Sequence, residues 1–142
     1  MFETKTVMTT DVITVKRHAP IQEAIRTLVR NNITGLPVVN DDMTLVGILS
    51  EKDVLRLLYD YEDRPRRVED YMTRDVVSFN VHDDLIEICT CLLKNQFRRV
   101  PITSEGKLVG IISRKDIITH IADYQGFFRD HPQKVRVTTA VV

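Results

Sequence analysis

Glycine is scarce in this chain, cysteine scarcer still, and no single sign of charge prevails. Five glycines in all leave no glycine-rich loop to cradle a phosphate. The two cysteines, Cys89 and Cys91, alternate within one predicted helix and point to different sides, so they do not readily bridge each other. No further ligands lie near them in sequence, which argues against a metal site and leaves two small half-buried hydrophobes of a reducing compartment. Lysine and arginine total 20 and aspartate and glutamate 20, so no global field draws the chain to nucleic acid or an anionic membrane. Anion binding, if any, must come from local clusters. Aromatic residues are few, at 6%. No apolar run approaches the roughly 18 residues of a membrane span. The first residues, "MFETKTVMTT", have neither a basic nor an apolar signal region, so a cytoplasmic location is expected. No nucleophile stands with a base and no metal-ligand cluster occurs, so no catalytic residue is expected and the chain does not read as an enzyme.

What is present is an ordinary globular composition, 43% apolar and 28% charged, over 142 residues. That length suits one domain, or two small units sharing a core, without staples. The chain is written twice. "GILSEKD" (47–53) returns as "GIISRKD" (110–116). At a shift of 64, Met8, Thr9, Asp11, Val12, His18, Glu23, Leu28, Asn31 and Pro37 meet identical residues. After a deletion of one residue, Leu45, Val46, Gly47, Ile48, Ser50, Lys52, Asp53 and Asp60 do the same. Chance would match only about one pair in fifteen, so this is a duplication, and two halves of one fold are expected to pack as a pseudo-two-fold pair.

Each half reads alike. Residues 11–15 and 75–79 are short β-branched or aromatic runs, predicted as strands. Helices follow, with Ile21, Ala24, Ile25, Leu28 and Val29 on one apolar face and Leu85, Ile88, Cys89, Leu92 and Leu93 on the other. Pro20 suits the first turn of the former and Asp83 the N-cap of the latter. Residues 35–39 and 100–103 are strands, 40–44 and 104–107 turns, and 45–49 and 108–112 return strands. Helices then run from Ser50 and Ser113 to about Tyr59 and Ala122. The fold class is α+β, with the order β-α-β-β-α repeated. The predicted division is residues 1–62, a linker over 63–70, residues 71–123, and an extension over 124–142. The last eight residues are strongly β-forming and are expected to pair with a sheet edge of this chain or of a partner.

The Ser-x-x-Asp spacing at the start of each closing helix has two readings. As a helix start, Ser caps and an acidic residue at the third position completes a capping box, each part worth about 1 kcal/mol. As a binding feature, the helix N-terminus offers free N–H groups to phosphate, and the Asp carboxylate offers two acceptors to a ribose. The box prefers Glu or Gln, since Asp reaches back less easily, which tilts the reading toward binding.

"VMTTDVITV", "GLPVV", "LVGILSEKD" and their second copies resemble a cystathionine-β-synthase (CBS) domain pair, or Bateman module, over residues 7–123. The resemblance implies two three-stranded sheets, each flanked by two helices and packed through the sheets. It implies two clefts and an adenosine-type ligand: AMP, ADP, ATP or S-adenosylmethionine. It places Ser50, Asp53, Ser113 and Asp116 on ribose and phosphate. Val12, Ile13, Val76 and Val77 fall beside adenine, Arg98 and Arg99 toward phosphates, and Pro101 after them is counted among the ligand-binding residues. The first half departs from this pattern, with Thr34 and Gly35 where the second has the arginine pair. Arg64, Arg66 and Arg67 in the linker either add to the field or keep the linker soluble. His18 and His82 stand in matched places with no second ligand nearby, and read as solvent-facing helix-entry residues.

The function so implied is a sensor of an adenine nucleotide that does no chemistry and requires no cofactor. Occupancy would change the angle between repeats, or the geometry of a homodimer, and an effector protein would read it. The rivals are a ligand-free dimerisation module and, from another class, nucleic-acid binding through the linker and Arg98–Arg99, against which the zero net charge argues.

Overall fold

The computed structural model describes residues 2–124. The predicted terminal strand lies outside them. The architecture is the expected α+β pair of sheets. The first half carries β1 (Val15–Lys16), α2 (Ile21–Asn31), β2 (Gly35–Val39), β3 (Leu45–Ser50) and α3 (Glu51–Leu55), the last continuing as a 3-10 turn, Arg56–Tyr59. The second carries β4 (Phe79–Asn80), α5 (Leu85–Lys94), β5 (Arg99–Ser104), β6 (Lys107–Ser113) and α6 (Arg114–Asp123). Two single-turn helices, α1 (Thr4–Val7) and α4 (Val68–Tyr71), precede the halves and were not foreseen. The sheets run β1-β2-β3 and β4-β5-β6, with the first pair of each parallel and the second antiparallel.

Packing does not follow chain order. The core of the first sheet is closed by Val68 and Met72, which lead into the second half. The core of the second sheet is closed by Val7, with Phe2 and Met8 against it. Each leading segment therefore crosses to the other repeat. Thr9 and Ile111 exchange backbone hydrogen bonds at 2.9 Å, and Ile48 and Thr73 do so at 2.9 and 2.8 Å. Where these segments cross, the strands carry Gly47 and Gly110. A Cβ on Gly47 would sit 2.7 Å from Met72 Sδ and 2.9 Å from the Thr73 carbonyl oxygen. On Gly110 it would sit 2.7 Å from Met8 Sδ and 3.0 Å from the Thr9 carbonyl oxygen. The tips of the hairpins also join: Leu45 N–H donates to Gly106 O and Leu108 N–H to Met43 O.

This crossing corrects the strands predicted over 11–15 and 75–79. Only Val15–Lys16 and Phe79–Asn80 pair, with Val38–Val39 and Ile102–Thr103. The residues before them span from one repeat to the other and have no ladder to join, so β propensity is overridden by position. Two helix starts differ as well. Pro20 is the N-cap of α2 rather than part of its first turn, with ψ at 139°. Asp84, not Asp83, caps α5, accepting from Ile86 N–H at 2.9 Å. The Asp83 carboxylate instead accepts from Asn80 N–H at 2.7 Å and closes the preceding turn. The apolar faces are narrower than their spacing predicted. Ile21, Ala24 and Leu28 are buried, as are Leu85, Ile88 and Leu92, whereas Val29 and Leu93 are 75% and 79% exposed. A step of one residue turns a helix by about 100°, enough to carry both off the sheet. Cys89 and Cys91 are half-buried and unbridged. Among the described residues no helix is long and apolar enough to cross a membrane.

Candidate functional site

The site grows from the start of α6. Ser113 leaves β6 with extended backbone and caps the helix; its Oγ accepts from Asp116 N–H at 3.0 Å. Asp116 reaches back, and its Oδ2 accepts from Ser113 N–H at 2.8 Å. At α3, Ser50 N–H donates to Asp53 Oδ2 at 2.9 Å, and Ser50 Oγ accepts from Asp53 N–H at 3.4 Å. Both capping boxes are complete. The expectation that aspartate reaches back poorly is corrected: two-residue spacers and an extended cap bring the shorter side chain within ordinary hydrogen-bond distance.

Beyond the cap, Asp116 Oδ1 accepts from the Thr9 hydroxyl at 3.2 Å. Here the crossing segment brings Thr9, Asp11, Val12 and Ile13 alongside the second repeat. A cleft of about 580 Å³ opens there, lined also by Ile33, Gly35, Pro37, Arg98, Arg99, Ile111, Ser113, Arg114, Lys115, Asp116 and Ile118. It is large enough for a small organic ligand, and all of its basic groups, Arg98, Arg99, Arg114 and Lys115, come from the second half. Among the described residues Arg98 and Arg99 form no ion pair. Arg114 is tied back, donating to Leu92 O and Asn95 O at 2.8 Å each.

Of the residues singled out in the sequence, the cleft unites Val12, Ile13, Arg98, Arg99, Ser113 and Asp116. Ser50, Asp53, Val76, Val77 and Pro101 lie elsewhere. Pro101 is buried in β5 opposite Ile111, and it is the first half's Pro37 that reaches this cleft. Thr9, Asp11, Ile33, Gly35, Pro37, Ile111, Arg114, Lys115 and Ile118 went unforeseen. A signal for five of them was present: Thr9, Asp11 and Pro37 are repeated as Thr73, Asp75 and Pro101, and Ile111 and Lys115 repeat Ile48 and Lys52.

None of the three linker arginines lines the cleft, and two of them, Arg64 and Arg66, are held within the linker. Arg64 bridges Asp60, Glu62 and Asp70 at 3.2, 2.8 and 3.2 Å. Arg66 donates to the carbonyls of Asp60 and Glu62. The Tyr71 hydroxyl donates to Asp60, and this bond foremost holds the Asp60 carboxyl below its ordinary value, the Glu62 amide and both arginines adding to it. His18 is exposed, with its Nδ1 3.3 Å from Glu69 Oε1; Arg17 bonds the same carboxylate and is the main cause of its lowered pKa. A second, smaller cavity of about 340 Å³ lies beside them, lined by Lys16, Arg17, His18 and the 39–42 turn.

Comparison with known proteins brings the same architecture. The CBS domain model matches residues 5–60 and 68–123. The uncharacterised protein MJ1225 of Methanocaldococcus jannaschii is 38% identical over 135 residues, covering 95% of this chain and 48% of that protein. Inosine-5'-monophosphate dehydrogenase of Thermoplasma acidophilum is 36% identical over 138 residues, covering 96% of this chain and 27% of the enzyme. The chain thus spans about half and about a quarter of these two relatives. Among solved structures, CBSX2 in complex with AMP superposes with a TM-score of 0.78 at 29% identity, covering 87% of this chain and 98% of that one; CBSX2 comes from Arabidopsis thaliana. The CBS domain pair of MJ0100, in complex with 5'-methylthioadenosine and S-adenosyl-L-methionine, gives 0.71 at 25% identity, covering 88% and 99%.

Proposed function

The chain belongs to the CBS domain family, and from that premise we propose that it is a regulatory module binding an adenosine-type nucleotide (AMP, ADP, ATP or S-adenosylmethionine). The observation that carries the reading is the convergence of Arg98, Arg99, Ser113 and Asp116 with Val12 and Ile13 on one cleft between the repeats. Apolar side chains of the crossing segment suit a base, a carboxylate suits ribose hydroxyls, and guanidinium forks suit phosphate. Two relatives of the same fold bind AMP, or 5'-methylthioadenosine and S-adenosylmethionine.

Binding would act through geometry, without chemistry. The cleft is built from both repeats, so a ligand in it biases their relative angle by its differential affinity for the two shapes. In the same proposal a homodimer of such modules, in the cytoplasm, passes the change to an effector protein. The exposed, matched Val29 and Leu93 on α2 and α5 suit a helix-mediated dimer.

The rival, a ligand-free interaction module, draws support from the complete capping boxes, which account for Ser50, Asp53, Ser113 and Asp116 as helix starts alone. Isothermal titration of AMP, ADP, ATP and S-adenosylmethionine into the wild type and Asp116→Ala separates the two. Saturable binding that the variant loses supports the nucleotide module. No heat and an unchanged melting temperature with every ligand would leave the interaction module.

A further inference from the structure

The two Ser-x-x-Asp sites began as copies, and the residues around them have made them unlike. Asp53 is 2% exposed, whereas Asp116 is half-buried at the cleft wall. Asp53 Oδ1 accepts from Arg56 Nη1 at 3.3 Å and from the Thr73 hydroxyl at 3.1 Å. Its Oδ2 accepts from Ser50 N–H at 2.9 Å and from the Ser50 hydroxyl at 3.0 Å. A carboxylate has about four lone-pair positions, so Asp53 has none left for a ribose. Among the described residues Asp116 accepts one bond on each oxygen, from Ser113 N–H and from Thr9. The residue matching Arg56 at the shift of 63 is Thr119, which brings no cation. The Ser113 hydroxyl does not donate to Asp116 as Ser50 does to Asp53, so among the described residues its proton is available to a ligand.

Charge diverges in the same direction. Arg98 and Arg99 correspond to Thr34 and Gly35, and Arg114 to Glu51. The cleft lining carries four basic residues against the acidic Asp11 and Asp116. Such a field attracts phosphate and repels the sulfonium of S-adenosylmethionine. Neither cavity described above touches Ser50 or Asp53.

We infer that each chain takes one phosphate-bearing nucleotide, at Asp116, and that the matching position is closed by Arg56 and Thr73 on Asp53. This rests on the nucleotide-binding reading above.

Calorimetric titration with ADP, with adenosine and S-adenosylmethionine as comparators, tests it on the wild type and on Asp116→Asn. One ADP per chain is expected, with both comparators bound about tenfold more weakly or worse, the ratio set by one charge-assisted contact or more. Asp116→Asn should lose the binding with no equivalent left over. Two ADP per chain in the wild type, or one remaining in the variant, overturns the single site; the wild-type stoichiometry stands even if the variant folds poorly. S-adenosylmethionine bound as tightly as ADP overturns the phosphate preference. Absence of heat and of any melting shift with every compound removes the nucleotide reading itself, a different outcome from a second occupied site.

Discussion

Thr73 and Asp53, 20 residues apart in the chain, meet where the linker enters the second repeat: the hydroxyl lies 3.1 and 3.3 Å from the two carboxylate oxygens. Thr9 and Asp116 make the matching bond at 3.2 Å, but across 107 residues and at an open cleft. The same contact serves a buried charge in one repeat and an accessible one in the other.

Replacing each threonine therefore has unequal consequences. Thr73→Val should cost about 1–3 kcal/mol, because a buried carboxylate loses a donor that water cannot replace. Thr9→Val should cost less than about 1 kcal/mol, since solvent reaches Asp116. Urea unfolding midpoints of the two variants measure the difference, and equal losses would mean that burial does not separate the sites.

Gly47→Ala and Gly110→Ala should each destabilise by about 1–3 kcal/mol through overpacking. The methionine sulfur can swing away from a new Cβ, but the carbonyl oxygens of Thr73 and Thr9 are held by backbone bonds from Ile48 and Ile111. Gly35→Ala is the control. Its Cβ would meet Leu49 O at an ordinary 3.5 Å, and thermal unfolding should move little.

The exchanged leading segments make the repeats inseparable. Val68 is fully buried in the core of the first sheet, so Val68→Ala should cost about 2 kcal/mol in lost burial and residual cavity. A fragment of residues 1–62 lacks both Val68 and Met72, and circular dichroism should show no cooperative melt. A sharp transition from that fragment would show that the crossing is dispensable.

Tyr71 and Asp60 should shape stability at both ends of the pH scale. Asp60 is depressed below its ordinary 3.8, chiefly by the Tyr71 hydroxyl, so its contribution is full above that value and fades as pH falls through the lower folded pKa. Tyr71 is raised above 10.0, first by burial and then by Asp60, so its contribution is full below that value and fades as pH rises through the folded pKa. The melting difference between wild type and Tyr71→Phe should be greatest near neutrality and shrink in acid and in alkali. A difference independent of pH would show the hydroxyl to be a packing group only.

Much of this protein was legible in its sequence because the signals are local. The duplication, the hairpins at 40–44 and 104–107, and helix starts at Ser50 and Ser113 follow from matched residues, turn chemistry and caps within a few positions of one another. Ser113 and Asp116 were singled out in this way, as a repeated spacing, whereas Arg98 and Arg99 were singled out by the resemblance to a CBS pair. Tertiary structure decided what distance in the chain conceals. Residues 2–9 and 68–73 trade partners between repeats, and a bond such as that between Thr9 and Ile111 leaves no periodic trace. That crossing shortened the first strand of each half and carried Thr9, Asp11, Val12 and Ile13 to a cleft lined also by Ile33, Gly35 and Pro37 of the first half and by residues of the second. It also distinguished two identical spacings. Ser50-x-x-Asp53 and Ser113-x-x-Asp116 read alike as text, but burial and the donors gathered from Thr73 and Arg56 saturate one carboxylate, while the other keeps acceptor capacity facing the cleft.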